Sequence, residues 1–336
     1  MLLATTLMYS GDPRATADEV AGWERAGLDV LWVAEAYGFD APTIMGYLAA
    51  KTETVRIGSA ILPIYSRTPA LIAQTAAGLD AMSGGRAILG LGASGPQVIE
   101  GWHGVAYDKP IARTREIIDI CRRIWRREII TQDGLYRLPL PDGLGKPLKI
   151  LTHPVRDRIP VYVAALGNAN VRMTAEVADG WLPFLYVPER AAGVWGKALA
   201  EGYQKRTLPP LEIVAGGPLA IGNDVTHLRD LARPMIALYV GGMGAKGRNF
   251  YHDVISRYGF EAEADRIQEL YLAGHKKEAA AAVPAELLEL GSLIGPESYV
   301  RDRIAAFRES GVTVLNVTPI GPDPQRLLST VKEMIS

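Results

Sequence analysis

Short, almost unbroken apolar runs alternate along this chain with longer stretches in which apolar positions recur every three or four residues. The runs fall at residues 2–8, 28–34, 55–62, 87–89, 161–165, 181–185, 212–215 and 312–317. A strand covered on both faces reads this way, and such strands belong to parallel sheets. Between them, Asp12-Pro13 marks a helix start that Gly27 closes, and an Asp40-led helix carries Pro42 in its first turn. A further helix is expected over 69–82, ended by Gly84-Gly85. The clearest opens at Pro110, with Ile111, Thr114, Ile117, Ile118, Cys121, Ile124 and Trp125 at helical spacing. Helices are also expected over 189–206 and 223–239, through alanine-rich sequence to about residue 290, from 296 to Gly311, and at the C-terminal end.

Eight strands, each followed by a helix, predict a (β/α)8 TIM barrel, with a doubly wound sheet as the other arrangement that fits. The proline- and turn-rich stretch 129–158 reads as an insertion, as does 241–290, and residues 1–336 read as one domain. In a barrel the site lies where strands end and their loops begin. Glu35, the Ser59-Ala60-Ile61 segment, the Gly92-Ala93-Ser94-Gly95 loop and the Leu166-Gly167-Asn168 turn would then meet at one mouth.

Composition narrows the partners. With 336 residues and 48% hydrophobic content, the chain has ample material for a core. A net charge of -1 offers no footprint for nucleic acid or an anionic membrane, and no run reaches the roughly 18 apolar residues of a membrane span. A small-molecule substrate is the expectation. The arginines of the 110–127 helix are interleaved with Glu116, Asp119 and Glu128, which suits a solvated face. One cysteine, Cys121, excludes an internal disulfide and fits a cytoplasmic protein; its place on an apolar stripe suits a packed thiol.

The candidate chemistry centres on residues 83–104, read as a turn, a short strand over 87–89 and a loop carrying Gly90, Gly92 and Gly95 around Ser94. A glycine-rich loop lets backbone N–H groups reach an anion and leaves room for a flat ring; it also serves as a tight strand-to-helix connection. Gly92-Ala93-Ser94-Gly95 lacks the spacing of a nucleophile elbow, so Ser94 is read as a backbone or phosphate contact. No His/Cys/Asp cluster has metal-ligand spacing. A second glycine-rich loop at 241–251 carries Lys246 and Arg248 and reads either as a lid or as solvated surface.

Taken together, VRIGSAILPIYSRTPALIAQTAAGLDAMSGGRAILGLGASG, AALGNANVRMTAEVADGW and GVTVLNV resemble the bacterial-luciferase-like superfamily, most nearly its branch of oxidoreductases that use the deazaflavin coenzyme F420. The resemblance implies a hydride passed between the deazaflavin C5 and an enone, imine or carbonyl/alcohol. It implies a non-prolyl cis peptide at Ala60-Ile61 behind the ring. It also implies cofactor contacts from Ser59, Gly92, Ala93, Ser94, Gly95, Leu166, Gly167 and Asn168, and commonly a homodimer. An FMN-dependent monooxygenase and a non-catalytic F420-binding protein are the other readings. The alcohol- and sugar-oxidising relatives place Asp-His after the second strand, where this chain has Glu35-Ala36. Glu35 keeps a carboxylate for catalysis or for shaping the pocket, and His103 becomes the candidate acid/base, with Tyr37 and Tyr65 behind it.

Overall fold

In the computed structural model, which describes residues 1–7, 12–244 and 246–336, the apolar runs become the staves of a closed parallel barrel. Its strands are Leu2–Leu7, Val30–Val33, Arg56–Ser59, Ala87–Gly92, Val161–Ala164, Gly180–Leu182, Glu212–Ala215 and Val314–Asn316. The ring closes because the first strand pairs with both the second and the eighth. Met8, expected at the end of the first strand, lies outside the described residues. The bore is filled by Ala4, Val30, Trp32, Ile88, Tyr162, Val214 and Val314, with the Trp32 and Tyr162 rings 5.2 Å apart. A larger apolar layer joins the barrel wall to the surrounding helices. Burial on both faces explains why these strands show no alternation of apolar and polar residues.

Asp12, Asp40 and Thr68 each accept backbone N–H bonds at the start of their helices, next to prolines that have no N–H to satisfy. The helix Pro69–Met82 follows the expected bounds. Elsewhere the pattern misleads. The fourth strand does not end at residue 89 but runs through Gly90 to Gly92, because its glycines meet a neighbouring strand at very short range. The helix expected over 223–239 is a 3-10 turn Thr226–Ala232, a short α-helix Arg233–Ala237 and a π-helical turn Leu238–Gly242. Pro234 stops the first of these from running on as one helix. The stretch to residue 290 is likewise broken, at Gly259 and Gly274 with φ of 92° and 87°, and at Pro284.

Three segments of two to four residues, Pro218–Ile221, Leu293–Gly295 and Thr318–Pro319, pair as a small parallel sheet that prolongs the seventh and eighth strands. They are too short to carry a period. Within 129–158, Gln132–Asp133 and Arg137–Leu138 form a hairpin whose turn is held by the Glu116 carboxylate on the Leu135 and Tyr136 amides.

Two side chains hold the approach to the third strand: Arg86 donates to the Val55 and Thr52 carbonyls at 2.6 and 2.8 Å, and Glu24 takes the amides. The Glu24 carboxylate accepts the Thr54 and Val55 amides at 2.6 and 2.7 Å and the Glu53 amide at 3.0 Å. Burial pushes its pKa up, but the backbone bonds and the Thr54 hydroxyl outweigh that and hold it below the usual carboxylate value. A depressed folded-state pKa stabilises the fold above the unfolded-chain value and ceases to do so as pH falls through the folded one. Glu24→Gln should cost about 1 kcal/mol at neutral pH and flatten the acid limb of the stability curve, as measured by urea unfolding across acid pH.

Candidate active site

The floor of the mouth is backbone. The Ser59 hydroxyl accepts the Gly90 amide at 2.9 Å and donates to the Gly90 carbonyl at 2.8 Å, joining the third and fourth strands. A Cβ on Gly90 would lie 1.7 Å from the Ser59 carbonyl oxygen, so the strands meet closer than any side chain allows. One step on, the Ala60-Ile61 peptide is cis, and the chain resumes pairing as Leu62–Pro63 against Leu91 and Gly92. A Cβ at Gly92 would meet Ile61 Cγ1 at 2.7 Å and Ala164 Cβ at 3.4 Å. Ser59, Ala60, Ile61 and Gly92 thus lie together at adjacent strand ends.

Beyond Gly92, Ser94 takes a left-handed conformation with φ of 57°, and its carbonyl oxygen lies 3.5 Å from the Tyr107 hydroxyl. Ala93 is half-buried, and Gly95 faces the Met243 carbonyl of the second glycine-rich loop. The fifth strand pairs with the fourth and leads to Leu166-Gly167-Asn168, the start of the helix Asn168–Val177, which no side chain caps. Here Leu166, Gly167, Asn168, Phe250, Asp253 and Arg257 line an open cleft of about 350 Å³. Arg257 donates to Asn168 Oδ1 at 3.0 Å and to the Val194 carbonyl. An uncapped helix start beside a guanidinium suits a phosphate, and the glycine-bounded strand ends suit a ring. The residues fit a phosphorylated, planar cofactor. A smaller apolar cavity of about 120 Å³ lies between helices Ala41–Lys51 and Pro69–Met82, behind the barrel wall, and none of its lining residues is ionisable.

The loop 241–251 reaches both segments: Met243 meets Gly95, and Phe250 packs on Gly167. Lys246 and Arg248 on it are exposed, while Ala245 lies outside the described residues.

The sequence profile of the luciferase-like monooxygenases matches residues 2–314. The chain belongs to that family. Rv3520c of Mycobacterium tuberculosis, named for coenzyme F420-dependent oxidoreductase activity, is 43% identical over 330 residues, 95% of each chain. The 5,10-methylenetetrahydromethanopterin reductase of Archaeoglobus fulgidus is 28% identical over 324 residues, 93% of this chain and 92% of that protein. Among solved structures, the coenzyme F420-dependent tetrahydromethanopterin reductase from Methanopyrus kandleri has the same fold, with a TM-score of 0.82 at 23% identity, covering 99% of this chain and 97% of that one.

In this luciferase-like barrel, Glu35 is already engaged. Its two oxygens pair with Arg67 at 2.5 and 2.9 Å, and Oε2 also accepts the Ala41 amide at 2.7 Å. Both side chains are largely buried. Glu35 therefore latches the end of the second strand to the helix Ala41–Lys51 and to the segment after the third strand. His103 lies past the short helix Pro96–Ile99, its Nε2 buried without a partner among the described residues, and no contact there joins it to Glu35. His252, which sequence spacing leaves without a partner, meets Asp265 at 2.9 Å. Cys121 is fully buried, and burial pushes its thiol pKa up.

Sequence reasoning does not find Arg67, Arg257 or the aromatic group formed by Phe184, Tyr239 and Tyr251, with ring centroids 4.5 to 5.8 Å apart. Their shared signal is position, since each lies in a segment after a barrel strand. Among the described residues no group of three acidic, histidine or cysteine side chains could hold a metal, and no helix is long and apolar enough to cross a membrane.

Gly90→Ala should lose about 3 kcal/mol or more of stability, since its new methyl meets backbone. Gly92→Ala, facing only the movable end of Ile61 and a methyl, should fold with a much smaller loss. Thermal and urea unfolding of the two variants distinguishes them; equal losses would refute the close-approach argument.

Proposed function

We propose that this protein is an F420-dependent oxidoreductase that transfers a hydride between the deazaflavin C5 and a small organic substrate, an enone, imine or carbonyl/alcohol. The observation that carries the reading is the pairing of the glycine-bounded surface at Ser59–Ile61 and Gly90–Gly92 with the Arg257–Asn168 cleft. Full-length similarity to an oxidoreductase named for F420 supports the cofactor. Bound there, the deazaflavin supplies the carbon that carries the hydride. The chain supplies the rest. Ser59, Ala60 and Ile61 back the ring, Gly92 to Gly95 pass along its side chain, and Leu166 to Asn168 with Arg257 receive the phosphate. Lys246 and Arg248 stand ready for the acidic tail. Glu35 acts in this scheme as a positioning residue through Arg67, and His103 is a proton-transfer candidate only if the loop around it moves toward the site.

Fluorescence titration of the purified protein with F420 and, separately, FMN tests the proposal. Tighter binding of F420 is expected. A preference for FMN would point to an oxygen-using monooxygenase, and binding without turnover of any carbonyl, enone or imine to a non-catalytic carrier. Arg257→Ala should weaken F420 binding about tenfold, near 1.4 kcal/mol. Gly92→Ala should also weaken it, by crowding Ile61 toward the ring. Unchanged affinity in both variants would place the cofactor elsewhere.

A further inference from the structure

Two groups of rings stand in the segments that follow the barrel strands, Phe184 with Tyr239 and Tyr251, and Tyr65 with Tyr107. Phe184 follows the sixth strand, Tyr239 sits in the π-helical turn Leu238–Gly242, and Tyr251 in the helix Phe250–Ile255. The Phe184 and Tyr239 centroids are 4.5 Å apart, and those of Tyr239 and Tyr251 are 4.8 Å apart. Tyr65 and Tyr107 are 5.2 Å apart. Burial raises the pKa of both Tyr251 and Tyr239, with Tyr239 and Tyr107 adding to the first and Tyr37 to the second, which puts these phenols within electrostatic reach of one another. Since the Tyr107 hydroxyl approaches the Ser94 carbonyl, this arc of phenols runs from the loop beyond Glu35 to the loop that follows Gly92.

Among the described residues the hydroxyls of Tyr37, Tyr239 and Tyr251 are unused, and of these Tyr37 lies on an exposed side chain. Tyr65 donates to the Asp108 carbonyl at 2.8 Å, whereas Tyr239 and Tyr251 make no hydrogen bond among the described residues. Neither is sealed from solvent, unlike the indole nitrogen of Trp32. The carboxylates near Tyr37 and Tyr107 are paired, Glu35 with Arg67 and Asp108 with Arg113, while Lys246 and Arg248 stand exposed on the loop before Tyr251. What the arc presents is apolar ring surface and neutral donors.

Resting on the F420-dependent reading above, we propose that Tyr251, with Tyr239 beside it, donates a hydrogen bond to the carbonyl oxygen of a neutral, flat, conjugated substrate. Burial raises the Tyr251 pKa, with Tyr239 and Tyr107 adding to it, so the phenol stays protonated at neutral pH and serves as a donor rather than as an acid that gives up its proton. In the reducing direction, a hydride from the reduced deazaflavin C5 forms a C–H bond at the β-carbon of the enone. The C=C pair shifts to make an enolate, and charge gathers on the oxygen that Tyr251 faces. A proton from water then completes the saturated carbonyl at the α-carbon, balanced by the proton that the reduced cofactor would release to water on giving up its hydride. The substrate gains two electrons and two protons, and the cofactor loses the same. A preorganised donor at a developing oxyanion is worth about 100-fold or more in rate.

The test uses the full chain saturated with oxidised F420 and 4-nitrophenol as a flat oxyanion probe, read by its absorbance. Wild-type protein should bind the probe with its phenolate form favoured. Tyr251→Phe should weaken binding at least about tenfold, Tyr239→Phe less, and both should keep wild-type F420 affinity, which reports an intact fold and cofactor site. With reduced F420, wild-type protein should reduce 2-cyclohexen-1-one or menadione in preference to glucose 6-phosphate. Tyr251→Phe should lower kcat about 100-fold while KM for reduced F420 holds. Wild-type probe affinity and kcat in Tyr251→Phe would overturn the proposal. So would a wild-type F420 complex that ignores the probe and the neutral carbonyls, which leaves the cofactor reading standing. Failure to bind F420 at all would overturn both.

Discussion

Everything at the mouth depends on how closely the third and fourth strands approach at Ser59 and Gly90. The Ser59 hydroxyl bonds both backbone groups of Gly90, and no Cβ fits between them. This contact sets the depth at which the third strand breaks, and hence where Ile61 sits against Gly92. It also sets the height from which the Ser94 loop leaves the barrel. The fifth strand, paired with the fourth from Leu89 to Gly92, carries the same reference across to Leu166–Asn168. The Ser59–Gly92 surface and the Leu166–Asn168 cleft, on separate loops, are thereby tied to one frame, as precise positioning on rigid elements requires.

The carboxylates at the strand ends and in the barrel wall serve the architecture. Asp80, fully buried, takes Arg156 from the 129–158 region and the Ala87 amide at the start of the fourth strand. Glu35 is committed to Arg67 and Ala41, and Glu24 to the turn before the third strand. Each buried carboxylate is matched by several donors, the condition under which burying a charge is tolerable. Around the Ser59–Gly92 contact the mouth is left with backbone amides, aromatic faces and phenols, with the cations Arg257, Lys246 and Arg248 set to the side of the Leu166–Asn168 cleft and its loop. That environment suits hydride transfer, which needs a close and dry encounter more than a field of free ions.

The barrel was legible because its evidence is local and repeated: apolar runs of strand length, and Asp, Thr and Pro at helix starts such as Asp12-Pro13 and Thr68-Pro69. Strand-end segments could be placed at one mouth for the same reason, since a barrel puts every strand-to-helix loop on one face. What those residues do there was less legible. Gly90 looks like a loop residue by type, yet it lies inside a strand, because the reason for glycine is a carbonyl 31 positions away in sequence. Glu35 looks like a free carboxylate, since nothing near it in sequence announces Arg67. The run to residue 290 looks like continuous helix because alanine content hides the breaks at Gly259, Gly274 and Pro284.

The aromatic arc shows the same limit from the other side. No two of Tyr37, Tyr107, Phe184, Tyr239 and Tyr251 are close enough in sequence to form a motif, and periodicity is silent in loops. Only closure of the barrel brings them together. Tyr239 itself sits in the π-helical turn Leu238–Gly242, a winding that no periodicity in the sequence announces. A cofactor seat built from backbone can be shared across a family with little change. The side chains over that seat come from the least constrained segments, and they decide which molecule meets the hydride. In this protein the side chains Phe184, Tyr239 and Tyr251 on those segments are neutral and aromatic, so under the proposal above selectivity would follow from the loops rather than from the barrel that carries them.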